Sequence, residues 1–109
     1  ALREWHSQPA EHFDYRDEGL LKLFFSGAVA PGRAADIARE RAEEAAEVAD
    51  ELRAVEAAAE GKDQASYAVL RFGIDFNTFI AEWFERQALA FDKGVPLAKL
   101  PAADNQEEV

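Results

Sequence analysis

Residues 33–60 read RAADIARERAEEAAEVADELRAVEAAAE, and this stretch decides the fold. It is rich in alanine, glutamate and arginine, which favour a helix. Small or apolar residues recur every seven positions at Ala38, Ala45, Leu52 and Ala59, with Arg41, Val48 and Val55 at the intermediate positions. Spacings of three and four residues keep these positions on one helical face. The pattern predicts a long helix whose small alanines let a second helix approach closely.

A second long helix is predicted after a short loop. Gly61 ends the first helix, and Asp63 is a plausible N-cap for a helix that runs from about residue 64 to residue 92. At 1.5 Å per residue that helix is about 40 Å long. Gly94 and Pro96 end it. Because a short loop between two long helices forces them antiparallel, the sequence predicts a helical hairpin.

Shorter segments are predicted on either side of the hairpin. Residues 1–7 have the pattern of the last turns of a helix, and residues 8–14 that of a linker. Residues 28–32 are predicted to form a turn. Residues 93–109, with their acidic end, are predicted to be a C-terminal tail.

A short helix with its own cap is predicted between the linker and the turn. Asp14 is the candidate N-cap, with Asp17 three positions later in the manner of a capping box, for a helix over residues 16–26. Gly27 is expected to end it. The predicted fold is therefore all-α, a long antiparallel helical hairpin with shorter N-terminal helices, and it pairs into a helical dimer.

The prediction of a dimer comes from the last helix, which carries large apolar residues on two sides. The first set is Val69, Phe72, Phe76, Phe79 and Trp83, and the second is Leu70, Ile74, Ala81, Phe84 and Phe91. A helix that is apolar on two sides is buried on two sides. One side faces the other long helix, and the second is covered in part by residues 16–26 or by another copy of the chain. The second copy is favoured, because symmetric dimers are the commonest oligomers and aromatic residues suit the centre of an interface.

Charge and composition exclude several classes of function. The net charge is −10, and residues 32–61 hold nine acidic and four basic side chains. This segment would repel phosphate, so we expect no direct contact with nucleic acid. The chain has no cysteine to form a disulfide or thiolate site. With no membrane-spanning run and no signal peptide, a cytoplasmic location is expected.

Several short motifs, taken in order, resemble the C-terminal half of PadR-family transcription regulators. They are Leu2-Arg3-Glu4-Trp5, then Pro9, then Arg16-Asp17-Glu18-x-Leu20-Leu21-Lys22-Leu23-Phe24-Phe25-x-Gly27, then Leu70-Arg71-Phe72-Gly73-Ile74 and Ile80-Ala81-Glu82-Trp83-Phe84. The helix between them, rich in alanine, glutamate and arginine, also matches that family in length and composition. Each string is weak alone, but their order and spacing make the resemblance specific over about residues 1–92.

The resemblance implies that the chain is one part of a regulator whose domains have separate roles. Residues 1–7 would end a helix from an upstream winged-helix domain, residues 8–92 would form the dimerisation and effector domain, and residues 93–109 the tail. In that family the C-terminal helices pair two subunits, so that two DNA-reading heads lie one helical turn apart. Many members are repressors released by small aromatic molecules. DNA would be bound only through the upstream domain.

Candidate site residues follow from these expectations. The predicted dimer interface comprises Leu20, Phe24, Phe72, Phe76, Phe79, Ile80, Trp83 and Phe84. The candidates for effector binding, by aromatic stacking or by pairing with a carboxylate, are Trp5, Arg71, Phe72, Phe76 and Trp83. Packing is the favoured interpretation of these aromatic residues. A salt bridge to Asp75 is the favoured interpretation of Arg71.

Metal binding and catalysis have little support in the sequence. His6 and His12 are the only histidines, and they lack a convincing set of further ligands. Glu43, Glu44 and Glu47 resemble half of a di-metal carboxylate site, but the companion Glu-x-x-His pattern is missing. The chain has no phosphate loop and no nucleophile–base pair. We therefore expect no metal, no cofactor and no enzymatic activity.

A second class of function stays open at this point. A free-standing helical module that docks on a different protein would show the same apolar helices. The molecular mass in solution distinguishes the two, because the regulator interpretation predicts a homodimer.

Overall fold

The computed structural model describes residues 1–59, 61 and 63–94, and this part of the chain is helical without strands. Its α-helices are α1 (Leu2–Ser7), α2 (Glu18–Val29), α3 (Ala34–Ala57) and α4 (Gln64–Lys93), with a 3₁₀ turn at Pro31–Arg33. The predicted all-α class is confirmed. The predicted tail, residues 93–109, lies outside the described residues beyond Gly94.

Helices α3 and α4 form the predicted antiparallel hairpin. Polar contacts join the start of α3 to the end of α4, where Arg39 Nη2 lies 2.6 Å from an Asp92 carboxylate oxygen. Contacts join the end of α3 to the start of α4, where Arg71 Nη1 lies 2.8 Å from a Glu56 carboxylate oxygen. The pairing of early with late residues fixes the antiparallel direction.

The contact between the two helices follows a stripe of alanines on α3. Ala38, Ala42, Ala45 and Ala49 are buried, whereas Val48 and Val55 are 40% and 50% exposed. The seam predicted at Arg41, Val48 and Val55 is therefore displaced by one residue. An α-helix has 3.6 residues per turn and drifts away from a strict seven-residue repeat. The stripe of small residues also brings α3 close enough for the large side chains of α4 to fill the space between them.

The core lies between this alanine stripe and α4. Phe84 is 0% exposed and Ile80 is 6% exposed, and both pack with Ala38, Ala42 and Ala45. Ile80 and Phe84 were predicted at a dimer interface, and the structure instead places them inside the single chain. The reason is the rotation of α4, which turns both side chains toward α3.

Helix α2 starts and ends later than the sequence predicts. Asp17, not Asp14, is its N-cap, since the Asp17 carboxylate accepts a hydrogen bond from the Leu20 amide at 3.2 Å. The helix continues through Gly27 to Val29. Gly27 does not adopt a positive φ, and a glycine without that conformation does not terminate a helix in the usual way.

The ends of α4 match the prediction. The Asp63 carboxylate accepts a hydrogen bond from the Ser66 amide at 2.9 Å and caps the first turn. Gly94 has a φ of 70° and closes the last turn in the left-handed conformation. Local signals fixed both ends, because each involves only neighbouring residues.

Candidate functional site

One side of α4 presents a partly exposed row of large apolar side chains, here called the aromatic face. It consists of Val69, Phe72, Phe76, Phe79 and Trp83, which is the first set identified in the sequence. Their spacings of three and four residues align them along the helix. Val69, Phe72 and Phe79 are 73%, 68% and 53% exposed. The ring of Phe72 stacks on that of Phe76 with centroids 5.8 Å apart.

The other apolar side of α4, formed by the second set, faces α3. Ile74 and Phe84 are fully buried there, and Leu70, Ala81 and Phe91 are half-buried. The two sets therefore have different surroundings. The second set packs within the chain, whereas the described residues leave much of the first set exposed.

Helix α2 covers only one end of the aromatic face. A groove of about 280 Å³ with almost wholly apolar walls lies where α2 and the preceding linker meet α4. Its walls are formed by Tyr15, Leu20, Phe76, Phe79, Ile80, Trp83 and Phe84. Beyond the groove, Phe24 of α2 is itself 78% exposed. Residues 16–26 therefore cover only part of the face, and α2 adds apolar surface of its own.

A polar cluster fixes the edge of the groove. The Tyr15 hydroxyl donates a hydrogen bond to the Asp17 carboxylate at 2.7 Å. Arg41 Nε donates to both oxygens of the same carboxylate at 3.1 and 3.0 Å. The Arg41 guanidinium carbon lies 5.7 Å from the centroid of the Phe84 ring. The cluster thus joins the linker, α2, α3 and the core side of α4.

The titration of this cluster reflects its hydrogen bonds. Burial raises the pKa of the Asp17 carboxyl, but donors from Tyr15, the Leu20 amide and Arg41 outweigh it and hold that pKa below its ordinary value of 3.8. Burial and the hydrogen bond to Asp17 raise the pKa of the Tyr15 hydroxyl above 10.0. At neutral pH the cluster is therefore a charged pair bound by a neutral phenol.

The comparison with protein families identifies the helical unit just described. The family model described as Virulence activator alpha C-term matches residues 15–91. The chain belongs to this family. It is the PadR-like C-terminal domain family, so the resemblance drawn from the motifs is confirmed over residues 15–91, and the family's name is consistent with a part in transcription regulation. Searches of curated proteins and of solved structures find no match.

The family match begins at Tyr15 and ends at Phe91, so it spans α2, α3 and nearly all of α4. It leaves out α1 and the first part of the linker. All of the aromatic face and all of the polar cluster therefore lie within the virulence activator alpha C-terminal unit.

The predicted interface residues divide between surface and core. Phe72, Phe79 and Phe24 are exposed, and Leu20 is 36% exposed at the rim of the groove. Phe76 and Trp83 are half-buried in the groove. Apart from Ile80 and Phe84, which belong to the core, the predicted residues are exposed or half-buried on α2 and α4.

The candidates for effector binding are not all brought together. Phe76 and Trp83 share the groove, and Phe72 stacks beside them. Arg71 instead forms the predicted salt bridge with Asp75 at 2.9 Å, and a second one with Glu56 at 2.8 Å.

Trp5 is the candidate that lies apart. It is 73% exposed on α1, a helix in which no residue is buried. Trp5 also does not contribute to the walls of the groove. Trp5 therefore lies apart from the candidate aromatic residues of α4.

The polar cluster is the feature that the sequence did not predict. Asp17 was assigned to a capping box and Arg41 to the apolar seam. A signal was present, because a charged residue in an otherwise apolar seam needs a partner of opposite charge. Which carboxylate supplies that charge depends on where α2 packs.

Within residues 1–59, 61 and 63–94, no three His, Asp or Glu side chains are grouped to hold a metal ion. None of the helices that the structure describes combines the length and apolar character that crossing a membrane requires.

Proposed function

We propose that this chain is the dimerisation and effector-sensing part of a PadR-like winged-helix transcription regulator. The observation that carries the proposal is the aromatic face, in which the described part of the chain leaves Val69, Phe72 and Phe79 exposed. Exposed apolar patches of this kind mark interaction surfaces. The proposal assigns no catalytic role to the chain.

A second copy of the chain is the proposed occupant of the aromatic face. In a two-fold symmetric contact each copy offers the same surface, so a stripe along α4 lies against its own equivalent. Full burial of one phenylalanine contributes about 1.5–3 kcal/mol. Several such residues on each side are sufficient to offset the entropy lost when two copies associate.

Pairing through α4 has a direct use in a regulator. If a DNA-binding head precedes α1 in each copy, the dimer sets the distance and angle between two heads. The chain itself, with its net charge of −10, is unsuited to contact DNA. This domain would therefore set the distance and angle between the heads, and the heads would recognise the DNA sequence.

The groove beside Tyr15 is the proposed position for a small effector. Its apolar walls and flanking aromatic rings suit a flat molecule of low polarity. Such a ligand shifts the angle between the heads only by its difference in affinity for the two angles. Repressor activity would then depend on which angle fits the operator.

Sedimentation equilibrium of the chain across micromolar concentrations tests the pairing. We expect a homodimer for the unaltered chain and at least about tenfold weaker association for Phe72→Glu and for Phe79→Glu. Both residues are exposed in the single chain, so the helix content measured by circular dichroism should be unchanged. Leu89→Glu is the matched control, since Leu89 is 51% exposed on α4 but lies away from the aromatic face.

The outcomes separate the two classes of function. A concentration-dependent dimer that Phe72→Glu weakens and Leu89→Glu preserves supports the regulator domain. A stable monomer at every concentration contradicts it and favours a module that docks on a different protein.

A further inference from the structure

We propose that Tyr15 couples pairing of the aromatic face to the geometry of the linker that precedes α2. This inference rests on the proposed function and deepens it, because it concerns how pairing through α4 is transmitted toward the N-terminal segment. The residue that carries it is the first one in the family match, at the boundary between linker and domain.

The ring of Tyr15 lies in the apolar groove, and its hydroxyl lies in the polar cluster. Its ring lines the groove and meets the Phe76 ring edge-on, with centroids 5.6 Å apart and an interplanar angle of 79°. Its hydroxyl leaves the groove and donates to the Asp17 carboxylate at 2.7 Å. The ring is therefore available to a partner on α4, whereas the hydroxyl is directed into the chain.

The acceptor of this hydrogen bond is rigidly held. The Asp17 side chain is 3% exposed and bound by Arg41, whose own side chain is 20% exposed. The same carboxylate caps α2 through the Leu20 amide. Because Asp17 is fixed by α2 and α3 together, the hydroxyl of Tyr15 fixes the end of the linker to both helices.

The close packing around Gly19 is further evidence that Asp17 and Arg41 are held in place. A Cβ at Gly19 would lie 3.0 Å from Arg41 Cδ and 3.1 Å from Asp17 Oδ1. The Arg41 side chain thus passes directly over the first turn of α2, and glycine makes room for it. Close approach of this kind leaves Arg41 and Asp17 little freedom to move apart.

Two consequences follow for a dimer. A second copy seated on the aromatic face covers the Tyr15 ring, and the hydroxyl then holds the linker in one direction. Conversely, a linker pulled away from α2 takes the ring out of the groove and removes part of the pairing surface. The two effects have equal size, since coupling between two equilibria is reciprocal.

The test compares dimer dissociation constants for variants of the chain by sedimentation equilibrium. Tyr15→Phe removes a hydroxyl that does not face the partner, yet we expect about fivefold weaker pairing, because the ring is no longer held in position. Tyr67→Phe, which alters the other tyrosine at the far end of the hairpin, is the matched control and should leave pairing unchanged. Equal dissociation constants for Tyr15→Phe and the unaltered chain overturn the coupling.

A double-mutant cycle shows whether the effect passes through Asp17. Asp17→Ala should weaken pairing, and adding Tyr15→Phe to it should change the constant by less than about twofold, because the acceptor of the hydrogen bond has already been removed. Losses that simply multiply in the double variant overturn the route through Asp17.

Hydrogen exchange measured by mass spectrometry gives the reciprocal readout. Amides of residues 8–16 should exchange about fivefold more slowly in the dimer than in the Phe72→Glu variant, which we expect to be monomeric. Equal exchange in a chain that does form dimers overturns the coupling alone. A chain that never dimerises overturns the proposed function together with it, so the two failures are distinguishable.

Discussion

Arg41 on α3 binds the carboxylate of Asp17 at the start of α2 with a single nitrogen, at 3.1 and 3.0 Å from its two oxygens. The carboxylate is 3% exposed, which distinguishes this pair from the other ion pairs in the described part of the chain. Buried ion pairs tolerate the loss of one partner poorly, because the remaining charge keeps its desolvation cost. This contact therefore contributes strongly to the attachment of α2 to the hairpin, together with the packing of Leu23 on the core.

Replacing Asp17 should destabilise the fold more than replacing its neighbour. Asp17→Asn keeps a side chain able to cap α2 but removes the charge that Arg41 binds, and we expect a loss of about 2 kcal/mol in the free energy of unfolding. Glu18→Gln is the control, since the Glu18–Lys22 pair is 79% and 63% exposed and should contribute less than about 0.5 kcal/mol. Urea unfolding monitored by circular dichroism measures both. Equal losses would show that the Asp17 pair is no stronger than a surface pair.

Acid should remove the contribution of Asp17. Because the pKa of its carboxyl is held below 3.8 in the folded chain, the group stabilises the fold above that value and loses this contribution as pH falls through the lowered pKa. The difference in unfolding free energy between the unaltered chain and Asp17→Asn should therefore shrink from about pH 6 to about pH 3. A difference that stays constant over this range would contradict the lowered pKa.

Two glycines in α2 should respond oppositely to alanine. Gly27 has open space around its Cβ position, so Gly27→Ala should raise stability by about 0.5–1 kcal/mol through helix propensity. Gly19→Ala should leave the stability of the fold unchanged or lower it, because the new methyl group lies only 3.0 Å from Arg41 Cδ. Thermal unfolding of both variants gives the comparison. A Gly19→Ala chain as stable as Gly27→Ala would mean that Arg41 moves aside at no cost.

The alanine stripe should not accept larger side chains. Ala45 is 0% exposed against α4, and Ala45→Leu should cost about 2–3 kcal/mol or separate the two helices. Ala54→Leu, on the exposed side of α3, should change stability by less than about 0.5 kcal/mol. Urea unfolding of the two variants tests whether close helix approach requires alanine. Similar values for both would place the seam elsewhere on α3.

The two tryptophans should report differently on pairing. Trp83 lies in the groove with its ring 5.0 Å from that of Phe84, whereas Trp5 is 73% exposed on α1. In Trp5→Phe, where only Trp83 emits, raising the protein concentration should shift the fluorescence to shorter wavelength, because pairing removes water from the ring. In Trp83→Phe the emission of Trp5 should not change. A shift carried by Trp5 alone would indicate that pairing occurs through α1.

The success of the sequence predictions depended on the range of the interaction involved. The caps at Asp63 and Gly94 were predicted correctly because each involves residues within one helical turn. The two apolar sides of α4 were also predicted, since the spacing of its aromatic residues is a local property. The rotation of α4 was not, and Ile80 and Phe84 therefore lie in the core and not at the surface.

The composition and periodicity of the sequence alone determined an antiparallel helical hairpin with more apolar surface on α4 than α3 covers. These are consequences of residue spacing along a helix, which does not depend on distant parts of the chain. Only the tertiary structure decided that Asp17, Arg41 and Tyr15 meet. That contact joins residues 24 positions apart, and its existence depends on how α2 lies across the hairpin, which no local pattern encodes.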